Sequence, residues 1–362
     1  MIKSITISPH EHYHTLTLNE VPPPVPKEHE VRVKIVTAAL NHRDVYIRQS
    51  LYPSISFETP LLADGCGYTL QSNTSAADAI EISRSQRVII NPGTGWISDP
   101  VGPESSLAVL GGTTATQLGT LQELISVPMD GVVLAPEHLS DAEAAALPLA
   151  GLTAWRAFHT KSGNAEARRN ILVTGIGGGV ALMILQFAVA KGCNVFVTSS
   201  YIEKINCAKD LGARGGAMYP DEEGWPKALR SQLPDDRPFL DAVIDGAGGD
   251  VVDKTWKLLK QGGVVVSYGI TSLTPPTLPM QAVMKNIELK GSTLGSRREF
   301  VEMVRFVDEQ KIRPVVARIV SGIENLAGIE SLFKDMKAGK QFGKLVIKLA
   351  ANEEDDEDRS KL

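Results

Sequence analysis

The stretch from Ile171 to Lys204 constrains this chain more than any other. It opens on Ile171-Leu172-Val173-Thr174, a short β-rich apolar run, and turns through Gly175-Ile176-Gly177-Gly178-Gly179-Val180-Ala181 into a long apolar segment ending near Lys191-Gly192. A second β-rich run, Asn194-Val195-Phe196-Val197, leads to the polar break Thr198-Ser199-Ser200. Strand, glycine turn, helix and strand make the βαβ unit that holds a dinucleotide, whereas the same glycines without that setting would only close a loop. Glycine is demanded because a side chain would keep the backbone away from the pyrophosphate. The free N–H groups and positive dipole end of the following helix then face that phosphate. Ala181 stands where a third glycine often packs the helix on the sheet, and alanine is the smallest alternative. Gly175, Gly177, Gly178, Gly179 and Val180 are therefore expected to contact the cofactor.

The end of the second strand chooses between dinucleotides. An NAD site places Asp or Glu about 20 residues past the glycines, to hold the ribose 2′-hydroxyl. Here Ser199 stands in that place, flanked by Thr198 and Ser200, with Lys204 one helical turn on. A carboxylate would repel a 2′-phosphate, while hydroxyls and an ammonium accept it, so NADP(H) is expected over NAD(H). Ser200-x-x-Glu203 also reads as a capping box that would start the next helix whatever is bound.

A chain of 362 residues has room for two domains, each with its own core. The net charge is −5, and the last ten residues hold six acids and two bases, so the body is near neutral and no nucleic-acid partner is expected. No apolar run reaches the length of a membrane span, so no membrane partner is expected either. Cys66, Cys193 and Cys207 show neither metal-ligand spacing nor a disulfide framework, and the last two read as reduced packing residues of the dinucleotide unit.

The first third reads as β-rich, with strands at Ile2–Ile7, Thr15–Leu18, Glu30–Thr37, Arg87–Asn91 and Leu121–Val127, and a proline arm at Val21–Pro26. His10, His12 and His14 alternate; they could share a strand face and bind metal, or belong to a solvated hairpin. A helix start at Ser140-Asp141-Ala142-Glu143 leads into Ala144–Ala150, and an alternating α/β pattern follows. Phe239–Ile244 and Gly263–Tyr268 read as further parallel strands. Ligands sit beyond the carboxyl ends of such strands, which makes Asp245–Gly249, Tyr268 and Gly269 expected cofactor-lining positions. After an amphipathic helix at Arg297–Glu309, short β-like runs return at Val315–Val320 and Lys344–Leu349. The fold class is α/β: a doubly wound parallel sheet plus a β-rich domain completed by strands after the dinucleotide domain.

Several ordered blocks join the glycine turn: Asn41-His42-Arg43-Asp44, Leu51-Tyr52-Pro53, Pro60-Leu61-Leu62-Ala63-Asp64-Gly65, Leu147–Trp155, Gly291–Arg298 and Phe342-Gly343-Lys344-Leu345-Val346. Together they resemble the medium-chain dehydrogenase/reductase superfamily, in its zinc-independent, quinone-oxidoreductase-like branch, over about residues 1–349. The resemblance implies a GroES-like catalytic domain, set at residues 1–137 and 297–350, and a Rossmann domain at 138–296, with an acidic tail at 351–362. Where zinc-containing members carry catalytic ligands, this chain has Asn41, Asp64 and Ala150, and the loop after Asn91 that holds four cysteines in zinc-binding members has none. Catalytic zinc takes three protein ligands and an open position, so no metal is expected.

Without a Lewis acid, hydride addition to a quinone or to the β-carbon of an activated alkene is easier than direct carbonyl reduction, because charge spreads onto an enolate oxygen that hydrogen-bond donors can stabilise. The resemblance implies NADPH-dependent reduction of quinones, enones, alkenals or enoyl thioesters. By matching positions, Asn41, Tyr46 and Tyr52 are the candidate catalytic residues, with Tyr46 and Tyr52 alternatively packing aromatics, and Asp44 a structural acceptor. His42 is matched to the pyrophosphate, Ser292 and Leu294 to the nicotinamide, and Thr153 to the cofactor. Lys344 is matched to the cofactor phosphates or, alternatively, is an edge-strand charge. Two alternative readings are a non-catalytic, crystallin-like NADPH binder and a zinc-type alcohol dehydrogenase. Family members are commonly dimers, so a homodimer is expected.

Residues 352–359 are too charged to pack, and the chain stops at Ser360-Lys361-Leu362. That tripeptide is a receptor-read peroxisomal address, so an import receptor is an expected partner and the peroxisome the expected location, with the cytoplasm otherwise. In a eukaryotic cell, deleting the three residues from an amino-terminally tagged protein is expected to leave fluorescence in the cytosol; continued import would refute the signal.

Overall fold

The computed structural model describes residues 1–72, 85–221 and 224–350, so the acidic tail and Ser360-Lys361-Leu362 lie outside the described residues. The chain divides into two units, Met1–Leu149 with Ser296–Leu362, and Ala150–Gly295.

The first unit is built on the strand Glu30–Ala39, in which Val31, Val33 and Ile35 point into the core and alternate with Arg32 and Lys34. A seven-stranded sheet forms around it, in the order Val316–Ser321, Lys344–Lys348, Glu30–Ala39, Asp64–Ser72, Arg87–Ile90 and Val132–Leu134, with Leu124–Pro128 also pairing Glu30–Ala39. The strand Asp64–Ser72 had no clear periodic signal, and its partners settle it. The late strand Lys344–Lys348 runs antiparallel to Glu30–Ala39 with Val346 opposite Ala39, and Leu40 N–H donates to the Leu345 carbonyl at 2.9 Å. Residue 344 is thereby set beside residue 41. Gly343 makes the approach possible: its φ is +122°, and a Cβ there would stand 2.6 Å from the Val315 carbonyl oxygen.

Two helices are started by capping boxes. Ser296 accepts from Glu299 N–H at 3.2 Å and starts Arg297–Glu309, whose buried Phe300, Met303, Val304 and Val307 lie on one face. Ser140 and Glu143 cap Asp141–Ala146 in the same way. That second helix packs on the strands Glu30–Ala39 and Asp64–Ser72, so the first unit runs on to Leu149 rather than ending at 137. The strands Ile2–Ser8 and Thr15–Val21 form an antiparallel hairpin with His10 and His12 exposed near its turn. His14 departs from the solvated reading: it is buried, with Nδ1 accepting from His10 N–H at 3.1 Å and Nε2 2.8 Å from Ser50 Oγ.

The second unit is a six-stranded, all-parallel sheet ordered Gly215–Met218, Asn194–Ser199, Asn170–Val173, Leu240–Asp245, Leu259–Ser267 and Glu288–Gly291. Its three central strands are buried throughout, as near-continuous apolar runs require when helices cover both faces. The strand order reverses beside Asn170–Val173, and that switch point is where such sheets bind ligands. One expected cap fails. The chain stays extended through Tyr201, the helix Ile202–Asp210 begins one residue late, and Ser199 Oγ accepts from Tyr201 N–H, so the Ser200–Glu203 box does not form.

At the opposite end of this sheet Asp241 is wholly buried. Burial alone would raise its pKa, but bonds from Arg237 (2.5 and 2.8 Å), Asn170 N–H (2.9 Å) and Lys260 (3.1 Å) outweigh that and hold it at about 2. A depressed acid stabilises the fold above its unfolded pKa and loses that contribution as pH falls through the folded value. Asp241→Asn is therefore expected to cost roughly 2 kcal/mol at neutral pH in urea denaturation, with the gap to the unaltered protein closing between about pH 4 and about pH 2.

Candidate functional site

In the second unit the glycine turn leaves a hollow. Gly175 and Gly177 adopt φ of +61° and +130°, and Gly178 is the N-cap of the helix Gly179–Ala190. A Cβ added to Gly175 or Gly178 would meet nothing within 4 Å, so the space beside the turn is open to a ligand. The turn is held to the second strand by Ile176 N–H on the Thr198 carbonyl at 2.8 Å and Gly175 N–H on Thr198 Oγ1 at 3.2 Å. Open backbone, a twelve-residue helix N-terminus and Val180 in its first turn fit a dinucleotide pyrophosphate.

The neighbouring strand tips carry the rest. Thr174 Oγ1 donates to Asp245 Oδ1 at 2.5 Å, and Ala247 and Gly248 N–H groups bind the same carboxylate. Burial nevertheless raises the Asp245 pKa above the ordinary value. Tyr268 follows the strand Leu259–Ser267 with its ring against Gly246, and burial, then the Asp245 charge, push its hydroxyl pKa upward. Gly269 lies next to it, half-buried. Ser292 N–H binds the Ser267 carbonyl at 2.9 Å, while its buried hydroxyl has no partner. Leu294, two residues on, takes a left-handed φ of +41°. Thr153 is buried near the end of the helix Pro148–Trp155. Ser199 requires a correction: it is 2% exposed and its hydroxyl accepts from Tyr201, so it does not stand open to a 2′-phosphate. Half-buried Ser200 and Lys204 remain, with exposed Tyr201 5.3 Å from the Lys204 ammonium.

In the first unit, Asn41 is the N-cap of the helix His42–Arg48. Its Nδ2 donates to Asp64 Oδ2 at 2.8 Å, and its Oδ1 accepts from Lys344 Nζ at 2.6 Å. Lys344 Nζ also donates to Asp64 Oδ2 at 2.8 Å, and Leu149 N–H donates to Asp64 Oδ1 at 2.8 Å. Lys344 is 4% exposed, which overturns both of its expected roles. A lysine committed to two buried oxygens is neither a reach toward cofactor phosphates nor an edge-strand charge. Asp44 is the expected structural acceptor, taking Asn41 N–H at 2.7 Å. Its pKa is raised to about 6 because burial outweighs Arg43, that N–H and Lys344.

His42 is exposed at the start of the same helix, its ring edge-on to Tyr46 at 4.7 Å. The Tyr46 hydroxyl is buried without a partner, and burial raises its pKa. Tyr52 is better explained by packing: the Arg43 guanidinium lies over its ring at 4.6 Å while donating to the Leu110 and Gly111 carbonyls. Asp64 is the residue sequence reasoning undervalued. It was noted only within its block and as a residue standing where the resemblance implies a zinc ligand, since its partner Lys344 lies 280 residues away.

The residues do not fit a catalytic zinc. Two oxygens already bound to an ammonium offer no free ligand set, and no group of three or more His, Cys, Asp or Glu able to hold a metal occurs among the described residues. In the loop that carries cysteines in zinc-binding members, Glu104 gathers the Ile97, Ser98 and Asp99 N–H groups at 2.6–2.8 Å, and those bonds, that from Ile97 foremost, lower its pKa to about 2.

A GroES-like unit and a parallel dinucleotide sheet in one chain define an oxidoreductase of the medium-chain class. Residues 27–137 match the alcohol dehydrogenase GroES-like domain family and 179–309 the zinc-binding dehydrogenase family. A zinc-type alcohol dehydrogenase-like protein of Leptosphaeria maculans is 50% identical over 93% of this chain and 95% of its own length. An acryloyl-coenzyme A reductase of Metallosphaera sedula is 26% identical over 94% of this chain and 98% of its own. The crystal structure of an NAD-dependent alcohol dehydrogenase superposes with a TM-score of 0.83 at 28% identity, covering 97% of this chain and 100% of that one. The chain belongs to the medium-chain dehydrogenase/reductase superfamily, among its zinc-type alcohol dehydrogenase-like members.

Because the protein leaves the space beside Gly178 empty, a methyl group there meets no protein atom and costs only the weaker N-cap. Gly178→Ala is expected to lower folding stability by about 1 kcal/mol at most and to weaken dinucleotide binding by about tenfold or more, read by fluorescence titration with NADPH.

Proposed function

We propose that the chain is an NADPH-dependent reductase of conjugated acceptors, namely quinones, enones, alkenals or enoyl thioesters, and that it works without zinc. The observation carrying this reading is the Lys344 ammonium held 2.6 and 2.8 Å from Asn41 and Asp64, where a catalytic metal would need those oxygens. Bound NADPH supplies a hydride to the electron-poor carbon of the acceptor, and the negative charge moves to its oxygen. Asn41 keeps one N–H beyond its bond to Asp64, and Tyr46 has an uncommitted hydroxyl, so both can donate to such an oxyanion. The likeness to a protein named for reducing acryloyl-coenzyme A, a conjugated thioester, supports the acceptor class. Preference for NADPH over NADH is supported by a second-strand tip without a carboxylate and by Ser200 and Lys204 beside it.

The test is oxidation of NADPH and NADH with para-benzoquinone, methyl vinyl ketone and acryloyl-coenzyme A. Turnover of at least one acceptor, faster with NADPH, is expected; tight NADPH binding with no oxidation by any of the three would favour the non-catalytic binder instead. Lys204→Ala is expected to weaken NADPH binding about tenfold and leave NADH binding unchanged, and equal loss for both dinucleotides would refute the 2′-phosphate assignment.

A further inference from the structure

Lys344 is a charged group in an interior that gives it two partners. An ammonium only donates, so the Asn41 carbonyl oxygen must face it. That choice turns the Asn41 amide nitrogen toward Asp64 Oδ2, at 2.8 Å. The flipped amide would set donors against the ammonium and a carbonyl oxygen against the carboxylate, unfavourable on both sides. The lysine charge therefore selects one of the two amide orientations. Asp64 favours the same orientation, because its Oδ2 accepts from Asn41 Nδ2, so the ammonium and the carboxylate hold the amide from its two sides.

The charges also balance. Asp44 and Asp64 are wholly buried, and Arg43 and Lys344 are nearly so, with Arg43 3.5 Å from Asp44 and Lys344 2.8 Å from Asp64. Adding a divalent ion to this neutral set would leave an uncompensated buried charge, which is costly in a low-dielectric interior. We propose that Lys344 is the fixed cation of the site: it fills the seat of a metal and, as a positioning residue, locks the Asn41 amide so that its remaining N–H is available to the reacting oxygen. The positioning half rests on the metal-independent reductase reading; the cation half does not.

Full-length Lys344→Met, Asp64→Asn and the double variant test both halves. Each single change leaves a buried charge unpaired, so each is expected to lower the urea midpoint clearly, and the double variant to recover most of the loss. Zinc bound after dialysis against zinc sulfate is expected to stay well below one per chain in the unaltered protein. NADPH affinity is expected to remain within about twofold throughout. With methyl vinyl ketone, kcat is expected to fall about 100-fold in Lys344→Met and to stay low in the refolded double variant while KM changes little.

Stoichiometric zinc in the unaltered protein, or a double variant no more stable than the singles, would overturn the fixed cation. Full kcat in the double variant would reduce Lys344 to a purely structural role, and NADPH binding weakened tenfold by Lys344→Met would return it to the cofactor phosphates. If the unaltered protein reduces none of the acceptors, the reductase reading and the positioning role fall together, while the urea midpoints and zinc content still decide the cation.

Discussion

The first unit depends on one strand pairing. When Lys344–Lys348 adds beside Glu30–Ala39, a residue near the end of the chain is carried next to Asn41 and Asp64. The pairing is driven by ordinary forces, since Leu345 and Ile347 are buried against the core that Val31, Val33 and Ile35 supply. It leaves no freedom over what its first residue meets. Gly343 bends the chain through a φ that an L side chain rarely adopts, and Lys344 is delivered inward. A buried ammonium without acceptors would be severely destabilising, so Asp64 and Asn41 are as necessary to the sheet as the sheet is to them.

The two units manage charge differently. In the dinucleotide unit, buried Asp241 is surrounded by Arg237, Arg169 and Lys260, each partly in contact with water, and its pKa falls. In the first unit, Asp44 has one N–H and a more distant guanidinium, and its pKa rises to about 6. Number and closeness of donors set the sign, because burial pushes both carboxylates the same way. The Glu104 loop is a third solution: an exposed carboxylate gathers successive backbone N–H groups, and its pKa falls.

Much of the fold was legible because its signals are local. The glycine turn, the apolar parallel strands, the helix start at Ser140–Glu143 and the amphipathic helix Arg297–Glu309 each depend on residues a few positions apart. Ser200–Glu203 carried the same local signal and failed, because Ser199 offered a competing bond to Tyr201 and the extended strand ran one residue further. His14 failed similarly: alternation suggested a shared face with His10 and His12, but the Ser50 hydroxyl draws it inward.

Sequence alone determined the class of fold and the glycine turn at the head of the helix Gly179–Ala190, because residue type and short spacing suffice for each. Only the tertiary structure decided that Lys344 faces Asn41 and Asp64, that Ser199 is turned away from solvent and that Tyr52 lies beneath Arg43. Those are matters of which distant groups share the interior, and the direction of a side chain from a strand end is set by its partners across the sheet rather than by its neighbours along the chain.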